Sequence, residues 1–130
     1  MAKILVVEDD DFLRELYSDT LKGQGHEIDT AEDGEVAFQK MKQGGYDLVL
    51  LDIILPKING VDVMQKLAGD PPTNVNKCVI FLTNIDKGEE IKKALQLGNG
   101  YLIKSQITPG DLIEEVTLFL SRGPQEKPNP

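Results

Sequence analysis

The sequence has a single cysteine and few basic residues. The first feature argues against a disulfide-bonded protein, and the second against one that binds nucleic acid or an anionic membrane. Cys78 has no partner for an internal disulfide, and its apolar surroundings favour a small core residue over a nucleophile. The 14 lysines and arginines stand against 22 acids, which gives a net charge of −8. We therefore expect no direct contact with nucleic acid or with an anionic membrane, because the chain has too few cations to neutralise phosphates.

Long hydrophobic runs are also missing. No apolar stretch approaches the roughly 20 residues that cross a bilayer, and the chain enters an apolar run at once, without the features of a secretory signal peptide. With 130 residues, of which 40% are hydrophobic and 28% charged, the composition is that of one ordinary globular domain. These features predict a cytoplasmic protein.

What the sequence does contain is an alternation of short apolar runs with segments of helical periodicity. The runs predict strands at 4–7, 27–31, 48–51, 79–82 and 101–103. The last helix has a clear start signal, with Thr108 as its cap, Pro109 at the first helical position and Asp111 in the first turn. Five strands alternating with five helices predict an α/β fold, a doubly wound parallel sheet covered on both faces.

The domain is expected to occupy residues 1–122. Residues 123–130 contain three prolines and little apolar material, so they predict a disordered tail or linker.

Polar side chains follow four of the five predicted strands. Glu8 and Asp9 follow the first strand, Asp52 follows the third, Thr83 the fourth and Lys104 the fifth. Contact with solvent explains any one of these positions. Together they form a complementary set of acids, a hydroxyl and an ammonium, and the ligands of open α/β sheets bind at this carboxyl edge. The sequence therefore predicts that these side chains lie close together.

Crowded acids repel one another unless a cation is present. Oxygen ligands favour Mg²⁺, which keeps several waters and binds phosphate partners. The strand ends therefore predict a metal-assisted phosphate site in which one carboxylate is left to react. A dinucleotide site is not expected, because Gly88, Gly98 and Gly100 do not form a glycine-rich loop after a first strand.

In its order of motifs the chain resembles the receiver domain of bacterial two-component response regulators, in the single-domain form. The matching residues are ILVVEDD at 4–10, Asp52 with IILP at 53–56, Gly60, Thr83, and YLIK at 101–104. The resemblance covers about residues 3–122. It implies a flavodoxin-like sheet with strand order 2-1-3-4-5.

The resemblance also implies a role for each residue of the site. Asp52 would be the phosphoacceptor, receiving its phosphoryl group from a sensor histidine kinase or a phosphotransfer protein. Mg²⁺ would be held by Glu8, Asp9, Asp52 and the backbone carbonyl of Ile54.

Three further residues would respond to the phosphoryl group. Thr83 would donate its hydroxyl to the phosphoryl oxygens, and Lys104 would pair first with Asp52 and then with the phosphoryl group. Tyr101 would be the rotating aromatic side chain of the switch. The face of the fourth helix, fifth strand and fifth helix would then bind an unknown downstream protein, and receivers often pair through this face, which makes a homodimer one possible assembly.

The sequence departs from the family pattern at several positions. Ser105 stands where the family usually has proline, Asn84 is bulkier than the usual residue after Thr83, and the turn before Tyr101 is one residue short. Ile54 and Ile85 lie two residues past Asp52 and Thr83, beside the path that the family gives to the hydrolytic water. Two branched apolar side chains there predict slow autodephosphorylation.

Two alternatives to a signalling switch remain from the sequence. One is a phosphohydrolase that uses the same acids and Mg²⁺, although Ile54 occupies the place of a second acid beyond Asp52. The other is a pseudo-receiver that keeps the fold as an interaction module. The full set of acids with Thr83 and Lys104 favours the switch, which is not expected to be an enzyme.

Overall fold

The computed structural model describes residues 1–84 and 88–122. In these residues strands and helices alternate, as the sequence predicts. The strands are β1 (Lys3–Val7), β2 (Glu27–Ala31), β3 (Leu48–Asp52), β4 (Val79–Thr83) and β5 (Gly100–Ile103). The helices are α1 (Asp11–Lys22), α2 (Gly34–Gln43), α3 (Gly60–Gly69), α4 (Glu89–Leu97) and α5 (Pro109–Arg122).

The strands form one five-stranded sheet in the order β2-β1-β3-β4-β5, with every neighbouring pair parallel. This confirms the predicted flavodoxin-like topology. At the carboxyl edge Val7 pairs with Leu51, Asp52 with Leu82, and Thr83 with Ile103. The register therefore brings the ends of β1, β3, β4 and β5 to one edge of the sheet.

Two apolar layers sandwich the sheet, because successive residues of a strand point to opposite faces. On β1, Leu5 and Val7 belong to the layer covered by α2, α3 and α4, while Ile4 and Val6 belong to the layer under α1 and α5. All five residues of β3 and of β4 are buried, which explains why both strands read as continuous apolar runs. Cys78 packs in the second layer, and burial raises the pKa of its thiol to about 11.

Side chains cap α1 and α5, two of the helices that begin near the carboxyl edge. Asp10 caps α1 by accepting a hydrogen bond from the Leu13 amide at 3.0 Å. At α5 the predicted start signal is confirmed, because Thr108 Oγ1 accepts from the Asp111 amide at 3.1 Å and Asp111 Oδ2 from the Thr108 amide at 3.0 Å.

Two features of the chain trace were not predicted. A short 3-10 helix, Lys104–Gln106, follows β5, and a parallel bridge joins Gly44 to Asn74. Gly44 has a φ of +73°, and a Cβ there would lie 1.7 Å from the Asn74 carbonyl oxygen, so the bridge needs glycine.

The predicted tail at 123–130 and Ile85 lie outside the described residues. Among the helices that are described, none has both the length and the apolar character needed to cross a membrane.

Candidate functional site

Three carboxylates converge at the carboxyl edge of the sheet. Glu8 lies in the first turn after β1, Asp9 follows it, and Asp52 is the last residue of β3. One oxygen from each lies within 4.8 Å of the other two. Glu8 and Asp52 are buried, whereas Asp9 is exposed, so the cluster opens to solvent on one side. A hard cation that keeps some of its waters fits this set of oxygen donors.

Lys104 enters the same cluster from the end of β5. Its Nζ lies 2.8 Å from Glu8 Oε1 and 2.8 Å from Asp52 Oδ2, and its side chain is only 9% exposed. Burial by itself would lower the pKa of Lys104, but the hydrogen bonds to Asp52 and Glu8 outweigh it and raise that pKa well above its usual value. The ammonium is therefore firmly charged and neutralises part of the acid cluster.

The bond between Lys104 and Ser105 is trans. The absence of the family's proline does not prevent Lys104 from reaching Asp52, since Lys104 Nζ donates to Asp52 Oδ2 at 2.8 Å with the bond in this form.

The pKa of Asp9 shows the effect of the surplus negative charge in the cluster. Partial burial, a hydrogen bond with Glu8 and the charge of Glu8 raise the pKa of the Asp9 carboxyl above its ordinary value. Three acids share the charge of one ammonium in this part of the described structure. A divalent cation would restore the balance, which is the chemistry that the sequence predicted for the site.

The turn after β3 is tied to Asp52. The Ile54 amide donates to Asp52 Oδ1 at 3.3 Å, and the Ile53 amide donates to the Leu82 carbonyl at 3.0 Å. Ile54 therefore lies beside the acids through its backbone, while its side chain is 63% exposed at the rim.

Thr83 ends β4, whereas Tyr101 lies near the beginning of β5. Thr83 is the buried last residue of β4, next to the end of β3, and Asn84 beside it is exposed. Tyr101 is half-buried in β5, where it pairs with Phe81 and packs against the layer that contains Ala94. The structure thus brings Thr83 to the acid edge and places Tyr101 on the same side of the sheet as α4.

Two residues contribute to the site through contacts that the sequence did not predict. Arg14 on α1 donates from Nη1 to the Glu8 carbonyl at 2.9 Å and from Nη2 to Asp11 Oδ1 at 2.5 Å. The spacing of Asp11 and Arg14 is typical of a helical ion pair, but it does not reveal the contact with Glu8. Gly60 begins α3 so close to β3 that a Cβ would lie 2.2 Å from the Asp52 carbonyl oxygen.

Fold and site together define a flavodoxin-like α/β domain with a cluster of three acids, of a kind that could hold a cation, at the carboxyl edge of its sheet. The chain belongs to the response regulator receiver domain family, whose model matches residues 4–117.

Relatives agree with this assignment. The chain is 35% identical over 124 residues to a transcriptional regulatory protein, a CpxR homolog of Haemophilus influenzae, covering 94% of this chain and 52% of that protein. It is 34% identical over 105 residues to a cyclic di-GMP phosphodiesterase of Thermotoga maritima, covering 80% of this chain and 27% of that protein. The chain thus spans about half the length, or less, of these two relatives.

One solved structure is similar to this chain in both fold and amino-acid sequence. The response regulator protein TrrA from Thermotoga maritima, crystallised in complex with Mg²⁺ and BeF, superposes with a TM-score of 0.76 at 34% identity. The match covers 92% of this chain and 99% of that chain.

Proposed function

We propose that this chain is a cytoplasmic, phosphorylation-dependent signalling switch in which Asp52 accepts a phosphoryl group from a sensor histidine kinase or a phosphotransfer protein. The observation that carries the proposal is the convergence of Glu8, Asp9 and Asp52 within 4.8 Å, together with the two 2.8 Å contacts of Lys104. Glu8, Asp9, Asp52 and the Ile54 carbonyl would hold Mg²⁺.

Phosphoryl transfer asks a protein mainly for positioning and for neutralisation of charge. A carboxylate oxygen of Asp52 attacks phosphorus while the bond from phosphorus to the donor imidazole nitrogen breaks, and that nitrogen keeps the bonding electrons. Bound Mg²⁺ would supply charge neutralisation for the phosphoryl oxygens. Lys104 holds its ammonium at Asp52 before transfer and can pair with a phosphoryl oxygen afterwards, which stabilises the added charge.

The change of charge at Asp52 would act on the residues at the ends of β4 and β5. Phosphorylated Asp52 would carry about 2 negative charges where its carboxylate carries one, and they would be spread over the phosphoryl oxygens further out at the sheet edge. This change would draw in the Thr83 hydroxyl and Lys104. Tyr101 packs on the same side of the sheet as α4, so a shift of Thr83 would change the space open to its ring. The face of α4, β5 and α5 is therefore the proposed binding surface for a downstream protein or a second copy.

The first test is formation of an adduct at Asp52. We expect acetyl phosphate with Mg²⁺ to add one phosphoryl group to the wild type, seen by intact mass, and none to Asp52→Asn. Asp10→Asn is the matched control, because Asp10 caps α1 outside the acid cluster and asparagine caps equally well.

Other outcomes would point elsewhere. Modification of Asp52→Asn to the wild-type level would contradict the assignment of the phosphoacceptor. Steady turnover of a phosphate ester would favour the phosphohydrolase, and no reaction in either assay would favour the pseudo-receiver.

A second test concerns the lifetime of the adduct. Ile54 projects at the rim beside Asp52 and is expected to keep water away from the phosphoryl group. Ile54→Asn should shorten the half-life of the acyl phosphate by about threefold or more, measured by loss of label from purified phosphoprotein. Val75→Asn is the control, since Val75 is also an exposed apolar residue, at 70%, but lies in the segment between α3 and β4. An unchanged half-life in Ile54→Asn would count against the role of Ile54.

A further inference from the structure

Four consecutive acids, residues 8–11, form the turn between β1 and the start of α1. Arg14 reaches back over this turn from α1 and holds it at two points, the Glu8 carbonyl at 2.9 Å and the Asp11 carboxylate at 2.5 Å. The Arg14 side chain is 19% exposed, whereas that of Asp11 is 90% exposed. The sheltered part of this contact is therefore the one with the backbone of Glu8.

The Glu8 carbonyl belongs to the planar peptide that joins Glu8 to Asp9. On its other side Glu8 is fixed by the sheet, because its amide donates to the Ala31 carbonyl at 3.1 Å. A second hydrogen bond, to the carbonyl, therefore restricts the two backbone rotations of Glu8, φ and ψ, that lie between its amide and the next peptide. Together these rotations set the direction in which Asp9 leaves the strand.

We propose that Arg14 is a positioning residue for the cation site: its guanidinium fixes the Glu8–Asp9 peptide so that both carboxylates face the same ion. The inference rests on the proposed function, because it concerns the Mg²⁺ that Asp52 needs for phosphorylation. Arg14 would therefore orient two of the metal ligands without contacting the ion itself.

The charge of Arg14 and its hydrogen bonds have opposite effects on a cation. A positive charge near the acids repels Mg²⁺, so an effect of charge alone predicts tighter binding when Arg14 is removed. Positioning predicts weaker binding. Lysine keeps the charge but lacks the planar fork that can bond the Glu8 carbonyl and Asp11 at once.

The test is a Mg²⁺ titration of the unphosphorylated protein, followed by amide NMR shifts, in the wild type, Arg14→Lys and Arg14→Met. Residues that orient metal ligands typically contribute 10-fold or more to affinity, so we expect the dissociation constant to rise by about tenfold in both variants. Arg122→Met is the matched control: it removes the same charge at the end of α5, where Arg122 lies over the Phe119 ring, and should stay within about twofold of the wild type.

A second measurement needs no metal. The Asp10 amide donates to Glu8 Oε2 at 3.1 Å within the turn that Arg14 holds. In Mg²⁺-free protein, the hydrogen exchange of the Asp10 amide should be severalfold faster in both Arg14 variants than in the wild type. A separate thermal unfolding measurement checks that both variants are folded at the temperature of the exchange experiment.

Arg14→Lys with wild-type affinity, Arg14→Met with equal or higher affinity, or unchanged exchange at Asp10 would each overturn the positioning role and leave the proposed function intact. A wild type that binds no Mg²⁺ would overturn the inference together with the metal part of the proposed function.

Discussion

Replacing Lys104 with methionine is expected to lower the free energy of unfolding of the metal-free protein by about 3–5 kcal/mol, the usual effect of removing one partner of a buried ion pair. The side chains of Glu8 and Asp52 are 0% and 3% exposed, and each accepts a 2.8 Å hydrogen bond from Lys104. Without the ammonium, two buried carboxylates would face each other with no compensating cation. Denaturant unfolding in the presence of EDTA measures the loss.

The matched control is Lys77→Met. Lys77 pairs with Asp47 at 3.2 Å, but its side chain is 60% exposed, so the loss should stay below about 1 kcal/mol. Equal losses in the two variants would contradict the view that burial gives Lys104 its importance.

Magnesium separates this effect from simple loss of packing. Lys104 competes with any cation for Glu8 and Asp52, so Lys104→Met should bind Mg²⁺ more tightly than the wild type. The stabilisation gained from a given Mg²⁺ concentration, which follows the ratio of that concentration to the dissociation constant, should therefore be larger in the variant. A variant that Mg²⁺ stabilises no more than the wild type would show that the ammonium does not occupy the place of the ion.

The parts of the fold that the sequence predicted are those in which one short segment contains its own signal. β3 and β4 are buried on both faces, so each reads as an unbroken apolar run. The start of α5 could also be predicted from a short segment, since Thr108 and Asp111 hydrogen-bond to each other. The convergence of Glu8, Asp9 and Asp52 followed from these local signals once the strands were taken as parallel.

What the sequence did not predict depends on contacts between distant segments. Lys104 was expected to pair with Asp52, but its second bond, to Glu8, joins residues 96 positions apart. Arg14 reads as a surface helix residue because its partner is a backbone carbonyl, and every residue has one. The roles of Thr83 and Tyr101 in a switch stay predictions, because they concern a phosphorylated state.

Gly60 shows the same limit, since nothing local in the sequence says that α3 begins against the backbone of Asp52. Its amide donates to the Ile53 carbonyl at 2.8 Å, and a Cβ would lie 2.2 Å from the Asp52 carbonyl oxygen and 3.2 Å from the Ile53 Cα. Both obstacles are backbone atoms, which cannot rotate away as a side chain can. Gly60→Ala must therefore displace either α3 or the end of β3.

We expect Gly60→Ala to lower the free energy of unfolding by about 3 kcal/mol, the upper part of the range for overpacking a well-packed site. It should also lower the yield of the Asp52 adduct, because the displaced turn includes Ile54 and its hydrogen bond to Asp52. Gly69→Ala, at the other end of α3, is the control: a Cβ there meets nothing within 4 Å, so stability should be unchanged or rise by up to about 1 kcal/mol. If Gly60→Ala were as stable and as reactive as Gly69→Ala, the close approach of α3 to Asp52 would not be needed to hold the phosphoacceptor in place.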